Sequence, residues 1–176
     1  MNNVCVRPAT RADVEGVSKL YEDVITRLEM TRNYPHWLRG TYPTHDDAMG
    51  AYGAGELYVA MVDCDLAGTM VLRHTPEDGY SQASWSSPDD YDRTIVVFTL
   101  AVAPTFLGRG VALALLGYAE GHARAEGDLA VRLDVAADNE PACRLYEKAG
   151  FSYVDTVSLG YEEYGLPWFR LYEKVL

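Results

Sequence analysis

The segment that decides how this chain is expected to fold reads Val96-Val-Phe-Thr-Leu-Ala-Val-Ala-Pro104-Thr-Phe-Leu-Gly108-Arg-Gly110-Val-Ala-Leu-Ala-Leu-Leu116. A β-branched apolar run ends at the proline, a short loop with two glycines follows, and a helix then begins. Glycine lets the backbone approach a ligand closely, and the first amides of a helix have no intrahelical partner. Because these amides lie at the positive end of the helix dipole, the segment predicts a site for a phosphate or pyrophosphate group.

The composition is typical of a globular protein and argues against several kinds of partner. With 176 residues, of which 48% are hydrophobic and 23% charged, the chain is predicted to form one domain, 1–176. It has neither an apolar run long enough to span a bilayer nor a signal-type N-terminus, so we expect a cytoplasmic protein without a membrane partner. The net charge of −11 argues against nucleic acid, and it fits either simple solubility or a cationic amine substrate.

Three cysteines, Cys5, Cys64 and Cys143, are widely separated in the sequence. Their odd number and their spacing fit neither a disulfide framework nor a site in which paired thiolates bind a metal. We therefore expect reduced, buried thiols and no metal ion.

Residue periodicity predicts an α/β domain whose mixed, mostly antiparallel sheet is flanked by helices. Apolar residues at helical spacing, together with capping residues, predict helices over roughly 11–29, 44 to 53–55, 111–126 and 139–150. Alternating or β-branched runs predict strands at 4–7, 56–62, 66–73, 94–103, 129–135, 151–155 and 168–174. Two connections have no periodicity: 30–43 is rich in aromatic residues, and 74–93 is polar and rich in turns.

The glycine loop by itself matches no other phosphate-binding motif. It is not a Walker loop, because no Gly-Lys-Ser/Thr follows, and in a dinucleotide fingerprint the third glycine would fall at Leu113. Taken alone, it would be read as a tight turn before a helix.

A second motif, Asn139-Glu-Pro-Ala-Cys-Arg-Leu-Tyr146-Glu-Lys-Ala-Gly150-Phe151, follows the glycine loop. The two motifs, in this order and with this succession of elements, resemble the GNAT superfamily of acetyl-CoA-dependent N-acetyltransferases over essentially the whole chain. The resemblance implies a GNAT-like fold in which the sheet splays at a bulge after the central strand. It also implies acetyl-CoA as the cofactor.

The resemblance assigns the cofactor contacts to backbone groups of the strand and the loop. The acetyl carbonyl and the pantetheine arm would bind along Leu100, Ala101 and Val102. The amides that would hold the pyrophosphate belong to Leu107, Gly108, Arg109, Gly110, Val111 and Ala112. Asn139 matches a further CoA contact. The chain departs from the family at Leu107, where Gln or Arg is usual, so Arg109 is expected to supply the side-chain contact.

Acetyl transfer to an amine requires a deprotonated amine, a stabilised oxyanion and a protonated leaving thiolate. The resemblance places Tyr146 near the thioester sulfur, and a phenol with a pKa near ~10 is a suitable acid for a thiolate. Amides near Leu100–Val102 would stabilise the oxyanion. The general base stays open between a water chain and five side chains: Glu22, His45, Glu56, His74 and Asp134.

The acceptor site is predicted where aromatic and acidic residues lie outside the regular elements. Cation–π and carboxylate contacts to an amine are expected from Tyr34, Trp37, Tyr42, Tyr161, Glu162 and Tyr164. The same aromatic residues would alternatively form an interaction surface, such as a homodimer interface.

The predicted function is acetyl transfer from acetyl-CoA to a primary amine of a small molecule or peptide, by direct attack in a ternary complex. The alternative is a non-catalytic acyl-CoA-binding module or sensor with the same fold. A third interpretation, ATP binding by the loop, lacks a phosphate-binding lysine and a metal-binding acid after the loop.

Overall fold

Four α-helices and seven strands make up the regular part of the structure, a computed structural model that describes residues 4–176. The helices are α1 (Val14–Glu29), α2 (His45–Gly53), α3 (Val111–Glu126) and α4 (Glu140–Lys148). The strands are β1 (Val4–Pro8), β2 (Leu57–Val62), β3 (Asp65–Arg73), β4 (Thr94–Val102), β5 (Ala130–Ala136), β6 (Ser152–Val157) and β7 (Phe169–Val175). Every predicted helix and strand is present, with small differences at the ends.

The strands form one mixed sheet in the order β1-β2-β3-β4-β5-β7-β6. β1–β2, β2–β3, β5–β7 and β6–β7 pair antiparallel, whereas β4 and β5 pair in parallel. The parallel ladder ends at the pair Val97–Leu133, although β4 continues to Val102 and β5 to Ala136. The predicted fold class, a mostly antiparallel sheet that splays after the central strand, is therefore confirmed.

Capping residues explain where the first two helices begin. The Asp13 carboxylate accepts a hydrogen bond from the Thr10 amide at 2.6 Å, and the Asp47 carboxylate accepts one from the Thr44 amide at 2.7 Å. Each threonine and aspartate form a capping box, as the sequence predicts. Arg7 also donates two hydrogen bonds to Asp13, at 2.8 and 2.9 Å, and these hold the pKa of this carboxyl well below its usual range.

The described residues group into two compact units. The first contains residues up to 33, 37–72 and 99–118, and the second contains 34–36, 73–98 and 119–176. In the first unit, the buried face of α1 consists of residues at helical spacing: Val14, Val17, Leu20, Tyr21 and Ile25. That the chain functions as one domain over 1–176 stays a prediction.

The second unit contains a buried guanidinium. Arg132 on β5 has no exposed side-chain surface, and it donates hydrogen bonds to Glu173 at 3.1 Å, to Asp89 at 2.9 Å and to the Tyr91 hydroxyl at 2.8 Å. Its guanidinium carbon also lies 4.1 Å from the centre of the Trp85 ring. The arginine therefore ties the polar connection 74–93 to β5 and β7.

The prediction that all three thiols are buried was wrong for two of them. All three cysteines are free, and Cys143 is buried, but Cys5 and Cys64 are exposed. Cys5 lies on β1, an edge strand with one neighbour, and Cys64 lies in the tight turn between β2 and β3. Within residues 4–176, no helix combines the length and hydropathy that a bilayer span requires.

Candidate functional site

The loop between β4 and α3 presents backbone amides at the start of a 16-residue helix. Gly108 and Gly110 have φ angles of 75° and 82°, in the left-handed region that glycine adopts without strain. The first turn closes with a hydrogen bond from the Ala114 amide to the Gly110 carbonyl at 3.0 Å. The amides of Gly110, Val111 and Ala112 come before this bond, so they point out of the positive end of the helix.

Side chains of the loop leave this helix end open. Leu107 is 55% exposed, which is unusual for a leucine, and nothing lies within 4 Å of a Cβ built at Gly108 or Gly110. The Arg109 guanidinium lies 5.2 Å from the centre of the Phe106 ring. The predicted loop residues therefore form one surface that can receive an anionic group, with Arg109 as the positively charged side chain.

Backbone strain marks the second half of β4. Thr99 has a φ of 47°, a conformation that is rare for a β-branched residue and costs about 1–3 kcal/mol. This residue lies two positions beyond Val97, where pairing with β5 ends. Leu100, Ala101 and Val102 follow directly, so the strained residue and the end of the ladder precede the predicted thioester-binding residues.

Part of the aromatic segment 30–43 packs against this strained residue. The Tyr42 and Thr99 hydroxyls share a hydrogen bond, and the Tyr42 ring meets Trp37 edge-on with the ring centres 6.2 Å apart. Trp37 in turn lies 6.5 Å from Tyr21 of α1. The first unit thus brings Trp37 and Tyr42, two of the predicted acceptor residues, to the end of β4.

A close backbone approach supports the end of β4 from β3. A Cβ built at Gly68 would lie 2.8 Å from Val111 Cγ1, 3.0 Å from the Ala101 carbonyl oxygen and 3.1 Å from Leu115 Cδ1. Side chains cannot approach so closely, so the glycine lets β3 contact both the predicted cofactor strand and the first turns of α3.

We predict that Gly68→Ala destabilises the protein by about 1–3 kcal/mol, because the added methyl overpacks this contact. It should also weaken CoA binding, since β4 and the start of α3 must shift to make room. Chemical denaturation and calorimetry with CoA measure the two effects. Gly50→Ala, at an exposed helical position with nothing within 4 Å of the new Cβ, is the control. Unchanged stability and affinity in Gly68→Ala would refute the role of this contact.

Tyr146 lies on α4 in the second unit. It is 9% exposed, and its ring centre lies 6.4 Å from that of Phe151 and 5.9 Å from that of Tyr172. Burial raises the pKa of the Tyr146 hydroxyl, and the charge of Asp134 raises it further, so the phenol stays protonated. No hydrogen bond to this hydroxyl is found among residues 4–176. A hydroxyl that makes no hydrogen bond within the described residues is suited to donate to a ligand.

Asn139 has a structural role in addition to the predicted cofactor contact. Its side-chain oxygen accepts a hydrogen bond from the Ala142 amide at 3.2 Å and so caps α4. The contact with CoA stays a prediction, for which the remaining side-chain amide is the available group.

The other predicted acceptor residues also lie in the second unit. The Tyr161 and Tyr164 ring centres are 6.3 Å apart, and the Tyr161 hydroxyl donates to Glu77 at 3.2 Å. Glu162 accepts a hydrogen bond from the Ser158 hydroxyl, which lowers the pKa of this carboxyl. Tyr34 is half-buried. Their contact with an acceptor stays a prediction.

Among the five base candidates, three are paired with charged groups. Glu22 forms an ion pair with Arg39, while the imidazoles of His45 and His74 contact Glu15 and Asp128 at 3.0 and 3.1 Å. The contact with Glu15 raises the pKa of His45, which makes it a poorer base at neutral pH.

Asp134 has a different environment. Its Oδ1 accepts a hydrogen bond from the hydroxyl of Tyr80, a fully buried residue, at 2.7 Å, and burial raises the pKa of this carboxyl to about 6. Sequence reasoning included Asp134 only as one of five and missed Tyr80, because the connection 74–93 has no periodicity that would indicate a buried side chain.

Comparison with known proteins gives the same fold and a named family. The sequence profile of the acetyltransferase (GNAT) family matches residues 23–151. Mycothiol acetyltransferase of Propionibacterium freudenreichii subsp. shermanii is 37% identical over 105 residues, which cover 57% of this chain and 30% of that protein. Streptothricin acetyltransferase of Escherichia coli is 32% identical over 95 residues, which cover 54% and 46%. The matches thus span less than half of either relative.

Solved structures resemble the chain over nearly its whole length. A GNAT-family acetyltransferase from Streptococcus agalactiae 2603 superposes with a TM-score of 0.82 at 21% identity, covering 98% of this chain and 95% of that chain. The Salmonella typhimurium protein yncA, whose structure includes its cofactor acetyl-CoA, has a TM-score of 0.68 at 19% identity and covers 99% and 95%. At these identities the likeness concerns the fold.

Proposed function

Because the chain belongs to the acetyltransferase (GNAT) family, we propose that it transfers the acetyl group of acetyl-CoA to a primary amine of a small molecule or peptide. The β4–α3 segment carries this proposal. It combines the strained Thr99, the left-handed Gly108 and Gly110, and helix amides that point out of α3. Attack by the amine occurs directly on the thioester, in a complex that holds both substrates.

Backbone groups bind the cofactor in this proposal. The amides of Leu107–Ala112 hold the pyrophosphate of CoA, and Arg109 adds positive charge from within the loop. The pantetheine arm lies along Leu100, Ala101 and Val102, in the part of β4 beyond its ladder with β5, where strand-like hydrogen bonds are available. Asn139 supplies a further contact through its side-chain amide.

The chemistry uses amides as oxyanion donors and Tyr146 as the acid. Backbone amides of Leu100–Val102 stabilise the negative charge that develops on the thioester oxygen. The hydroxyl of Tyr146, protonated and without a hydrogen-bond partner among the described residues, supplies a proton to the leaving thiolate.

The acceptor is proposed to be a small cationic amine. The net charge of −11 favours a cationic acceptor. The two matched relatives are named for small molecules, as mycothiol acetyltransferase and streptothricin acetyltransferase, which favours a small molecule over a peptide. The side chains proposed to enclose it are Tyr34, Trp37, Tyr42, Tyr161, Glu162 and Tyr164.

Release of CoA thiol from acetyl-CoA over a panel of primary amines tests this function. We expect release that depends on both acetyl-CoA and an amine. Tight CoA binding without release with any amine would contradict an enzyme and support the alternative, a non-catalytic acyl-CoA-binding module.

Replacing Leu107 with the residue usual in the family tests the cofactor site by a gain of affinity. Leu107→Gln adds a hydrogen-bond donor at an exposed position, so we expect CoA to bind about 2- to 12-fold more tightly, the range of one net hydrogen bond. Calorimetry with CoA measures the affinity, and Leu38→Gln, an exposed leucine in the aromatic segment, is the matched control. If the wild-type protein and Leu107→Gln bind CoA with equal affinity, residue 107 does not contact the CoA phosphates.

A further inference from the structure

A polar cluster in the second unit contains a hydrogen-bonded tyrosine–aspartate pair. Tyr80 donates to Asp134 Oδ1 at 2.7 Å, and the partly exposed carboxylate has no other hydrogen-bond partner among the described residues. Asp134 is the first residue of β5 after its ladder with β4 ends at Leu133. It therefore lies where the edge of β5 that faces β4 ceases to be paired, while its other edge pairs with Leu171 of β7.

Contacts on several sides fix the position of Tyr80. Trp85 packs against its ring with the ring centres 5.3 Å apart, and the indole donates to the Tyr80 carbonyl at 2.9 Å. The preceding Gly79 is so close to the next segment that a Cβ would lie 2.6 Å from the Ser158 carbonyl oxygen. The phenol is thus held in one place, and it holds the carboxylate in turn.

The charged and titratable neighbours of Asp134 lie on two elements. Glu77 precedes the helical turn Asp78–Gln82 and Tyr80 lies within it, while Tyr146 lies on α4. Burial and the charge of Glu77 favour the protonated carboxyl, whereas the Tyr80 hydrogen bond favours the carboxylate. The charge of Asp134 also acts on Tyr146, whose hydroxyl makes no hydrogen bond within residues 4–176.

We propose that Asp134 is the general base that deprotonates the acceptor ammonium, and that Tyr80 is the residue that positions it; this rests on the function proposed above. An isolated carboxylate is too weak a base for an amine. A partly buried carboxylate whose affinity for a proton is raised, and whose charge acts on the proposed acid Tyr146, is suited to this task.

The proton balance of this step is complete. The ammonium gives one proton to Asp134, and the nitrogen lone pair then forms the C–N bond at the thioester carbonyl. The C–S bond breaks with its electron pair remaining on sulfur, and Tyr146 gives its proton to the thiolate. The protonated amide nitrogen returns a proton to Tyr146, and Asp134 releases its proton to solvent. The products are the acetylated amine, CoA thiol and one proton.

Kinetics of the full chain as a function of pH test the assignment. In the wild-type protein, kcat/KM should rise with pH through a pKa near 6, the value of the Asp134 carboxyl. In Asp134→Asn, this rise of kcat/KM with pH, the acidic limb of the pH profile, should disappear. The substitution should lower kcat by about 10²–10⁴-fold and leave the affinity for acetyl-CoA unchanged. Asp65→Asn, at an exposed acid on β3, is the control.

Tyr80→Phe separates positioning from catalysis. The Tyr80 hydroxyl donates a hydrogen bond that favours the ionised Asp134. Its removal should therefore move the acidic limb of the kcat/KM profile to higher pH, and most of the activity should return at alkaline pH. A purely structural role would lower activity at every pH and leave the limb in place, and that result would overturn the role of Tyr80.

Thermal unfolding gives a readout that does not require turnover. The folded pKa of Asp134 is raised, so the wild-type protein loses stability as pH rises from the unfolded pKa through about 6. Asn accepts the same bond from Tyr80 without a charge. Asp134→Asn should therefore have the higher Tm at a pH of about 8 and an equal Tm near 4.

The possible results distinguish failure of the Asp134 assignment from failure of the proposed acetyl transfer. Wild-type turnover with an equally active Asp134→Asn that keeps the acidic limb overturns the base assignment alone. A wild-type protein that neither binds acetyl-CoA nor releases thiol overturns the proposed function and the base with it. An Asp134→Asn protein with a lower Tm than wild type at alkaline pH would show that the ionised carboxylate does not destabilise the fold, and it overturns the raised proton affinity on which the base assignment depends.

Discussion

Replacing Arg132 with alanine should destabilise the protein by about 3–5 kcal/mol, because it leaves a buried carboxylate without its cation. Glu173 has a side chain that is 2% exposed, and Arg132 donates to it at 3.1 Å. The same guanidinium donates to Asp89 and Tyr91, so the substitution also removes these two hydrogen bonds to the 74–93 connection. For a domain that is stable by 5–15 kcal/mol, this is a large fraction of the total.

Urea denaturation measures this effect, and Arg170→Ala is the matched control. Arg170 on β7 forms an ion pair with Glu140 at 2.9 Å, but the two side chains are 31% and 53% exposed. An exposed pair of this kind contributes about 0–1 kcal/mol. Equal effects of the two substitutions would contradict the assignment of Arg132 as the anchor of the second unit.

Replacing Tyr146 with phenylalanine should lower kcat by about 10²–10⁴-fold, the usual contribution of a positioned acid. The ring keeps its contacts with Phe151 and Tyr172, so the fold and the affinity for acetyl-CoA should not change. Steady-state kinetics at saturating substrates and calorimetry with acetyl-CoA separate the two quantities.

Tyr172→Phe is the control for this substitution. Tyr172 contacts Tyr146 with a ring-centre distance of 5.9 Å, but its hydroxyl donates to Glu147. It should keep most of its turnover. Full turnover in Tyr146→Phe, or an equal loss in Tyr172→Phe, would remove the Tyr146 hydroxyl from the mechanism.

Local patterns in the sequence were sufficient to predict the helices and strands. The Thr10–Asp13 and Thr44–Asp47 capping boxes, the asparagine cap at Asn139 and the left-handed glycines of the loop all involve residues within a few positions of one another. Their physical causes are local, so a single sequence contains the information needed to predict them.

Contacts between distant parts of the chain could not be predicted in this way. The polar composition of 74–93 indicates a connection, yet Tyr80 in this segment is fully buried in an apolar cluster. Its hydroxyl donates to Asp134, 54 residues away. Arg132 resembles any charged residue within an apolar run, and Gly68 resembles an ordinary strand glycine. Only the tertiary structure shows which groups satisfy these side chains and what a methyl group would meet.

Backbone amides of the β4–α3 segment are proposed to bind the cofactor. Amide chemical shifts of the full chain, recorded by NMR during a titration with CoA and then with acetyl-CoA, test this assignment. We predict that the largest changes with CoA occur at Leu107–Ala112, and that acetyl-CoA adds changes at Leu100–Val102. Saturable binding with unchanged shifts in both segments, or no binding of either molecule, would contradict the account.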